Sequence, residues 1–254
     1  GGLEGIGFDL AGGAGRLTPP LAGQPPIPVN AAILRGRVEG GFERIVIDAA
    51  SVDFSDGAEI IAPGSREHRL PIRSAAVQGS YGAVQDRLAV DFIKLDLGGP
   101  KIDVTGQVDG VRATPRITGS GVLADVPISG APRYWPTGWG DNPRSWVTAH
   151  MADGMFRRAE ATFDLAGNGA GGFVLNKIDG TMVIENTTVD YLAPMPKARK
   201  VSGTARFDKF HFDIDIAEGE VEGLKTSQGK IIFTDLDKKD QHTTIDLLID
   251  GPFS

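Results

Sequence analysis

Apolar side chains recur at every second position through most of this chain, the pattern of strands that bury one face. The alternation runs through Arg44–Phe54, Arg87–Leu97, Lys101–Gly110, Gly180–Leu192, Gly203–Ile216, Gly229–Asp237 and Thr243–Asp250. With weaker runs counted, it predicts roughly twelve to sixteen strands. Glycine (35 residues) and proline (16 residues) fall mostly between these runs and punctuate them as turns. Amphipathic helical runs are missing between the strands, so a serial antiparallel meander is expected rather than βαβ units. At 254 residues the chain can bury a core, as one large β domain or two smaller ones.

A short pattern repeats inside the runs: an aliphatic residue, any residue, glycine, a polar residue, and often another apolar one. It occurs as Leu34-Arg35-Gly36-Arg37-Val38, Val77-Gln78-Gly79-Ser80-Tyr81, Val104-Thr105-Gly106-Gln107-Val108, Ile178-Asp179-Gly180-Thr181-Met182 and Val201-Ser202-Gly203-Thr204-Ala205. Glycine inside a strand pattern marks a bulge or a bend. Bends repeated at similar places would curve a sheet in one direction. Plain hairpin spacing would produce the same repeat.

The stretch YWPTGWGDNPRSWVTAHMADG, from Tyr134 to Gly154, breaks the alternation and holds all three tryptophans, Trp135, Trp139 and Trp146. Asp141 or Asn142 can cap a helix there, Pro143 suits its first position, and Asp153-Gly154 suits its end. One short helix is therefore expected near 143–152, with Trp146 and Val147 each one turn before His150 and Met151. A short helix at the edge or end of an open sheet covers exposed strand groups. The three tryptophans accordingly read as a structural plug packed on the sheet end, with a ligand-contacting role as the alternative.

Composition excludes several chemistries. The net charge of −7 and pI of about 5.1 argue against a nucleic-acid partner, which calls for a basic stripe. With no cysteine there are no disulfides, thiolate metal sites or thiol nucleophiles. GNGAGG (Gly167–Gly172) matches a dinucleotide fingerprint in letters only, because strand rather than helix follows it; it reads as a hairpin loop. GLKTSQGKI (Gly223–Ile231) has the wrong glycine spacing for a phosphate loop, and Ile231 stands where Ser or Thr is needed. The histidines, His68, His150, His211 and His242, lack ligand spacing, and Asp235, Asp237 and Asp240 read as a solvated turn rather than a calcium loop. No metal, no cofactor and no catalytic residues are expected, and the chain reads as a non-enzyme. Asn186-Thr187-Thr188 fits a glycosylation acceptor in letters alone. No run of about 18 apolar residues spans a membrane as a helix. The opening GGLEGIGFDL is already strand-like, so the chain reads as a piece whose targeting segment lies outside it.

A sheet apolar on one face must cover that face by closing as a barrel, stacking as a sandwich, or curling into a groove. Aromatics are only 7% of residues, too few to fill a wide interior. Small and aliphatic inward residues suit a U-shaped trough, and strands of about eight residues give it a width of about 26 Å. Periodicity nominates Phe210, Phe212, Ile214, Ile216, Ile232, Leu236, Ile245, Leu247 and Ile249 as groove-facing, with Val90, Phe92, Val104 and Val108 added from the first half. A register slip of one residue turns any of these strands inside out.

The Tyr134–Gly154 stretch, followed by FRRAEATFDLAG (Phe156–Gly167), resembles the Trp-Pro, Arg-x-Trp signature of AsmA-like proteins, in particular their YhdP-type branch. Ile178–Asp237 resembles the repeating element of that branch, with Gly180 opening a strand, Tyr191 and Pro196 in its Y-x-x-x-(M/L)-P turn region, and Val201-Ser202-Gly203. The likeness extends from about Ala131 to Gly251, whereas residues 1–130 are compatible without a sharp motif. It implies a mainly β, taco-like groove of a bridge-like lipid-transfer protein, related to TamB, in the periplasm of a Gram-negative envelope. The implied partners are phospholipid and, through parts of a longer protein anchored in the inner membrane, both membranes, with envelope proteins as further candidates. On this reading residues 1–130 form a first strand series, 131–155 the tryptophan-rich interruption and 156–254 a second series of one elongated fragment. The alternative is a non-catalytic scaffold for outer-membrane protein or envelope assembly.

Overall fold

The alternating runs fold as strands in the computed structural model, which describes residues 5–18, 24–61, 69–135, 141–169, 172–191, 194–238, 240 and 242–250. The first half contains β1 (Ile6–Gly12), β2 (Gly15–Leu17), β3 (Ile27–Glu39), β4 (Arg44–Phe54), β5 (Glu59–Ile61), β6 (Arg69–Pro71), β7 (Ser74–Gly82), β8 (Arg87–Asp96), β9 (Lys101–Asp109) and β10 (Arg116–Pro127). A 3₁₀ turn at Ile128–Gly130 leads into α1 (Ala131–Tyr134), and α2 covers Asp141–His150. Then follow β11 (Met151–Ala152), β12 (Met155–Gly167), β13 (Phe173–Val189), β14 (Ala198–Asp208), β15 (Phe212–Val221), β16 (Leu224–Thr234) and β17 (His242–Asp250).

Fifteen of these strands form one antiparallel sheet in the order β1-β3-β4-β7-β8-β9-β10-β12-β13-β14-β15-β16-β17, with β2 added against β3 and β11 against β13. The sheet is an open meander, not a barrel, with β1 and β17 as its edges. The chain divides into two compact units: unit 1 is Gly1–Val122 with Thr162–Asn176, and unit 2 is Leu123–Ala161 with Lys177–Ser254. The long strands β10, β12 and β13 contribute residues to both.

The repeated glycines are sites of backbone contact between strands. A Cβ at Gly36, Gly79, Gly106, Gly180 or Gly203 would overlap a carbonyl oxygen of the neighbouring strand, Val46, Ala89, Thr118, Glu160 and Asp215 respectively. In unit 1 the register shifts beside Gly36, between Ile47 and Ala50, beside Gly79, and between Val90 and Ile93 opposite Gly106. Each shift is a bulge that bends and twists its strand. Stacked across consecutive strands, they bend the strands of unit 1 along a shared line.

The run Gly203–Ile216, expected as a single strand, is a hairpin. β14 stops at Asp208 because its carboxylate accepts hydrogen bonds from the N–H groups of Phe210 (2.6 Å) and His211 (2.8 Å), an Asx turn. β15 then returns with Phe207 opposite Phe212 and Ala205 opposite Ile214. At the GNGAGG loop, Asn168 Oδ1 accepts from the Gly172 N–H, closing the β12–β13 hairpin. The helix appears where the tryptophan segment predicts it, two residues earlier at each end, and α1 precedes it as an extra turn.

Two measurements test these devices. Gly79→Ala should cost about 1–3 kcal/mol in urea unfolding, because its Cβ meets backbone that cannot yield. Gly12→Ala, where nothing lies within 4 Å, should change stability by under about 0.5 kcal/mol. At Asp208 burial pushes the carboxyl pKa up, but the hydrogen bonds from Phe210 and His211 outweigh it and hold the group below its ordinary range. A lowered folded pKa contributes stability above the unfolded value of about 4, and that stability is lost as pH falls through the folded value. Asp208→Ala should therefore melt below wild type near neutral pH, and the gap should narrow toward about pH 2.

Candidate functional site

Directly opposed residues share a face, and the register of unit 1 sorts its side chains by polarity. Ile6, Val38, Ile45, Tyr81, Leu88 and Val108 form one row across β1, β3, β4, β7, β8 and β9. Next to it runs Phe8-Gly36-Ile47-Gly79-Val90-Gly106, in which bulk and glycine alternate. A third row is Leu10-Leu34-Ala50-Val77-Ile93-Val104, and a fourth ends Ala75-Leu95-Ile102. These rows hold no charged residue, and their one hydroxyl, on Tyr81, donates to Asp86 Oδ1 at 2.9 Å. Among the described residues of unit 1 there is no helix, and Leu88, Val90, Ile93, Leu95, Ile102, Val104 and Val108 are all only partly buried. Full burial in unit 1 is concentrated elsewhere, in residues such as Phe54, Ala58, Leu70, Ile72 and Leu97, where Phe54 N–H donates to Arg73 O and Ile72 N–H to Ala58 O.

The opposite face carries the charges. Arg37 pairs with Asp48 at 2.6 Å, Arg87 with Asp109 at 2.5 Å and Lys94 with Asp103 at 3.7 Å. Such exposed pairs contribute about 0–1 kcal/mol each. Their effect is to keep that face wetted, and Arg116 beside Asp164 holds the latter's carboxyl below its usual range.

Unit 2 builds the same kind of face and covers it. Its rows are Gly180-Phe207-Phe212-Phe233-Thr243, Met182-Ala205-Ile214-Ile231-Ile245 and Ile184-Gly203-Ile216-Gly229-Leu247. Val147 of α2 is buried in the same cluster as Met182, Ala205, Ile214, Ile231 and Phe233, and the Trp146 ring meets Phe233 edge-on at 5.0 Å. The helix is tied down at both ends. Asn142 Nδ2 donates to Leu236 O (3.0 Å), and the Asp190 N–H donates to His150 O (2.8 Å). Arg144 holds the preceding turn by donating to Trp135 O (3.2 Å) and Pro132 O (3.1 Å). Beneath Trp146 a small, mainly apolar cavity of about 40 Å³ remains, lined by residues such as Ile184, Ile214, Ile231 and Leu247.

The structure brings most of the nominated residues to these two faces. Ile214 and Ile216 are buried, Phe212 packs between Phe207 and Phe233, and Leu247 lines the cavity. Ile245 lies opposite Ile231 on the same face at 36% exposure. Leu236 is buried against the cluster even though β16 has ended, because Asp235 adopts a positive φ and turns the chain back. Val90, Val104 and Val108 share the apolar face of unit 1. Trp135 and Trp146 pack on the cluster of unit 2, whereas Trp139 and the side chain of Ile249 lie outside the described residues.

Three nominated residues are corrected. Phe210 sits in the Asx turn, 44% exposed, rather than in a strand. Ile232 points to the charged face beside Asp213 and Thr244, because Ile231 and Phe233 take the inward positions. Phe92 is turned outward by the bulge between Val90 and Ile93, and its ring lies 5.3 Å from Lys94 Nζ. Periodicity also missed Ile231, Phe233 and Phe207. The run KIIFTD is apolar in both registers, and only pairing with Ile214 and Phe212 selects one.

Among the described residues no three His, Asp or Glu side chains gather to hold a metal ion. No family model, curated protein or solved structure matches the chain.

The contrast between the faces is measurable. Phe212→Glu would bury a charge between two rings and should cost about 3 kcal/mol, lowering the melting temperature by roughly 6–12 °C. Val104→Glu, on the half-exposed face, should cost under about 1 kcal/mol.

Proposed function

We propose that this chain is a segment of a lipid-transfer conduit whose apolar β face shelters phospholipid acyl chains between the inner and outer membranes. The observation that carries the reading is the apolar face of unit 1, four rows deep over six strands, free of charge and half-exposed. Exposed contiguous apolar surface on this scale marks a surface that meets lipid or another apolar partner. Strands of nine to eleven residues such as β4, β8 and β9 run about 30–36 Å, long enough to carry an extended acyl tail along them. The outer, ion-paired face suits an aqueous compartment, and the resemblance to AsmA-like proteins supports the periplasm, with an inner-membrane anchor elsewhere in a longer protein. No helix among the described residues is long and apolar enough to cross a membrane.

A second reading, a scaffold for envelope assembly, draws on the sheet's open edges. Among the described residues β1 and β17 each pair with a single strand, and an extended segment of a partner protein could add there.

A photo-crosslinking amino acid at Val104 and, separately, at Lys94 tests the conduit, with the protein purified from a Gram-negative host and analysed by native mass spectrometry. Phospholipid should co-purify and label position 104 but not position 94. Absence of lipid, or equal labelling of both faces, would overturn the proposal. A stoichiometric protein partner whose binding is lost on placing proline in β17 would favour the scaffold.

A further inference from the structure

We infer that the hairpin tips at one end of unit 1 dock on the surface of a zwitterionic phospholipid bilayer, with Phe42, Val84 and Val111 entering it as anchors. The inference goes beyond the conduit reading: it gives this chain a bilayer contact of its own and does not require lipid on the apolar face.

The meander turns at the same end of unit 1 between β3 and β4, β7 and β8, β9 and β10, and β12 and β13. Backbone hydrogen bonds join each tip to the next. Ala83 N–H donates to Glu43 O (2.7 Å), Gly110 N–H to Asp86 O (2.9 Å) and Gly167 N–H to Pro115 O (2.7 Å). Asp86 ties the two middle tips further, accepting from the Tyr81 hydroxyl (2.9 Å), the Arg112 N–H (3.1 Å) and Arg112 Nε (3.0 Å). The tips form a fixed row, and each carries an apolar side chain in water: Phe42 (68% exposed), Val84 (72%), Val111 and Phe173. The opposite end of the same strands does the reverse, with Ile27, Phe54 and Leu97 buried.

A single exposed valine needs no explanation, but an apolar residue on each of four joined tips does. Phe42 adds a second observation. Its φ is 78°, a region that bulky side chains rarely occupy, and it follows Gly40 and Gly41 in the same region. Glycine would hold that turn without strain, so phenylalanine there favours a role for the ring itself.

The spacing and the charges select the partner. Consecutive tips lie two strand spacings apart, about 10 Å. Apolar side chains so far apart do not form the packed core of a protein interface. They suit the headgroup–acyl boundary, which each can enter separately. Arg44, Arg87 and Arg116 open β4, β8 and β10 at this level, and Arg112 lies in the β9–β10 tip. Their carboxylate partners are Glu39, Asp109, Asp164 and Asp86. Alternating guanidinium and carboxylate match the phosphate and ammonium of a zwitterionic headgroup, and four balanced pairs confer no preference for anionic lipid. The apolar row from Ile6 to Val108 begins one residue below the Glu39-Arg44 pair, so the tips continue the apolar face.

The test uses the intact chain and protein-free vesicles of phosphatidylcholine and phosphatidylethanolamine. The chain has no cysteine, so single cysteines can be labelled cleanly. An environment-sensitive fluorophore at Val84→Cys or Val111→Cys should shift to the blue on vesicles, and one at Gly99→Cys, an exposed turn at the opposite end, should not. Unlabelled protein should float with the vesicles, and replacing about a third of the lipid by phosphatidylglycerol should change affinity by less than about threefold. Phe42→Gly should weaken vesicle binding at least about tenfold, or about 1.4 kcal/mol, while melting no lower than wild type, because glycine accepts the positive φ. Absence of wild-type flotation, equal responses at positions 84 and 99, or undiminished binding by Phe42→Gly would overturn the inference. Flotation only on vesicles that carry envelope proteins would also overturn it, in favour of a protein partner. Loss of the Val104 crosslink with these vesicle results intact would instead overturn the conduit and leave the docking surface standing.

Discussion

At Gly36, Gly79, Gly106 and Gly203 a carbonyl oxygen of the neighbouring strand lies where a side chain would begin. That close approach lets a bulge form at successive strand pairs without breaking the sheet. A bulge adds one residue to one strand and so exchanges inside for outside beyond it. Val90 and Ile93 stay on one face only because two residues between them are absorbed in this way. The apolar rows, and any groove built on them, depend on these contacts.

The two units use that arrangement differently. In unit 2 a short helix, held by Asn142 at one end and by His150 at the other, lies over the aliphatic and aromatic rows and turns much of them into core. Among the described residues of unit 1 no helix does this, and comparable rows remain only partly buried. Burying such a face is worth roughly 25 cal/mol per Å², so leaving it open is a substantial loss of stabilisation unless another apolar body covers it. Acyl chains would supply that cover without demanding hydrogen bonds from the walls.

Much of the fold was legible because strand periodicity is a local property. Arg44–Phe54 was readable to the residue, and the glycine repeat pointed to the bulges. The site was less legible. The Phe210 error arose from a turn made by one carboxylate, Asp208, inside an unbroken alternation. The Phe92 error arose from a bulge that shifts register without changing the local pattern. At Ile231-Ile232-Phe233 both registers are apolar, and cross-strand pairing is the only arbiter.

Period two, glycine and proline punctuation and the capping residues by themselves determined a β meander with one apolar face, most of the turn positions, and the place of the helix, since each follows from neighbours within a few residues. Tertiary structure decided which face each residue joins beyond a bulge, that the sheet stays open, and that α2 lays Trp146 and Val147 on the apolar rows of unit 2. Those outcomes depend on contacts between residues far apart in the chain, such as Trp146 with Phe233 and Asn142 with Leu236, and no local pattern encodes them.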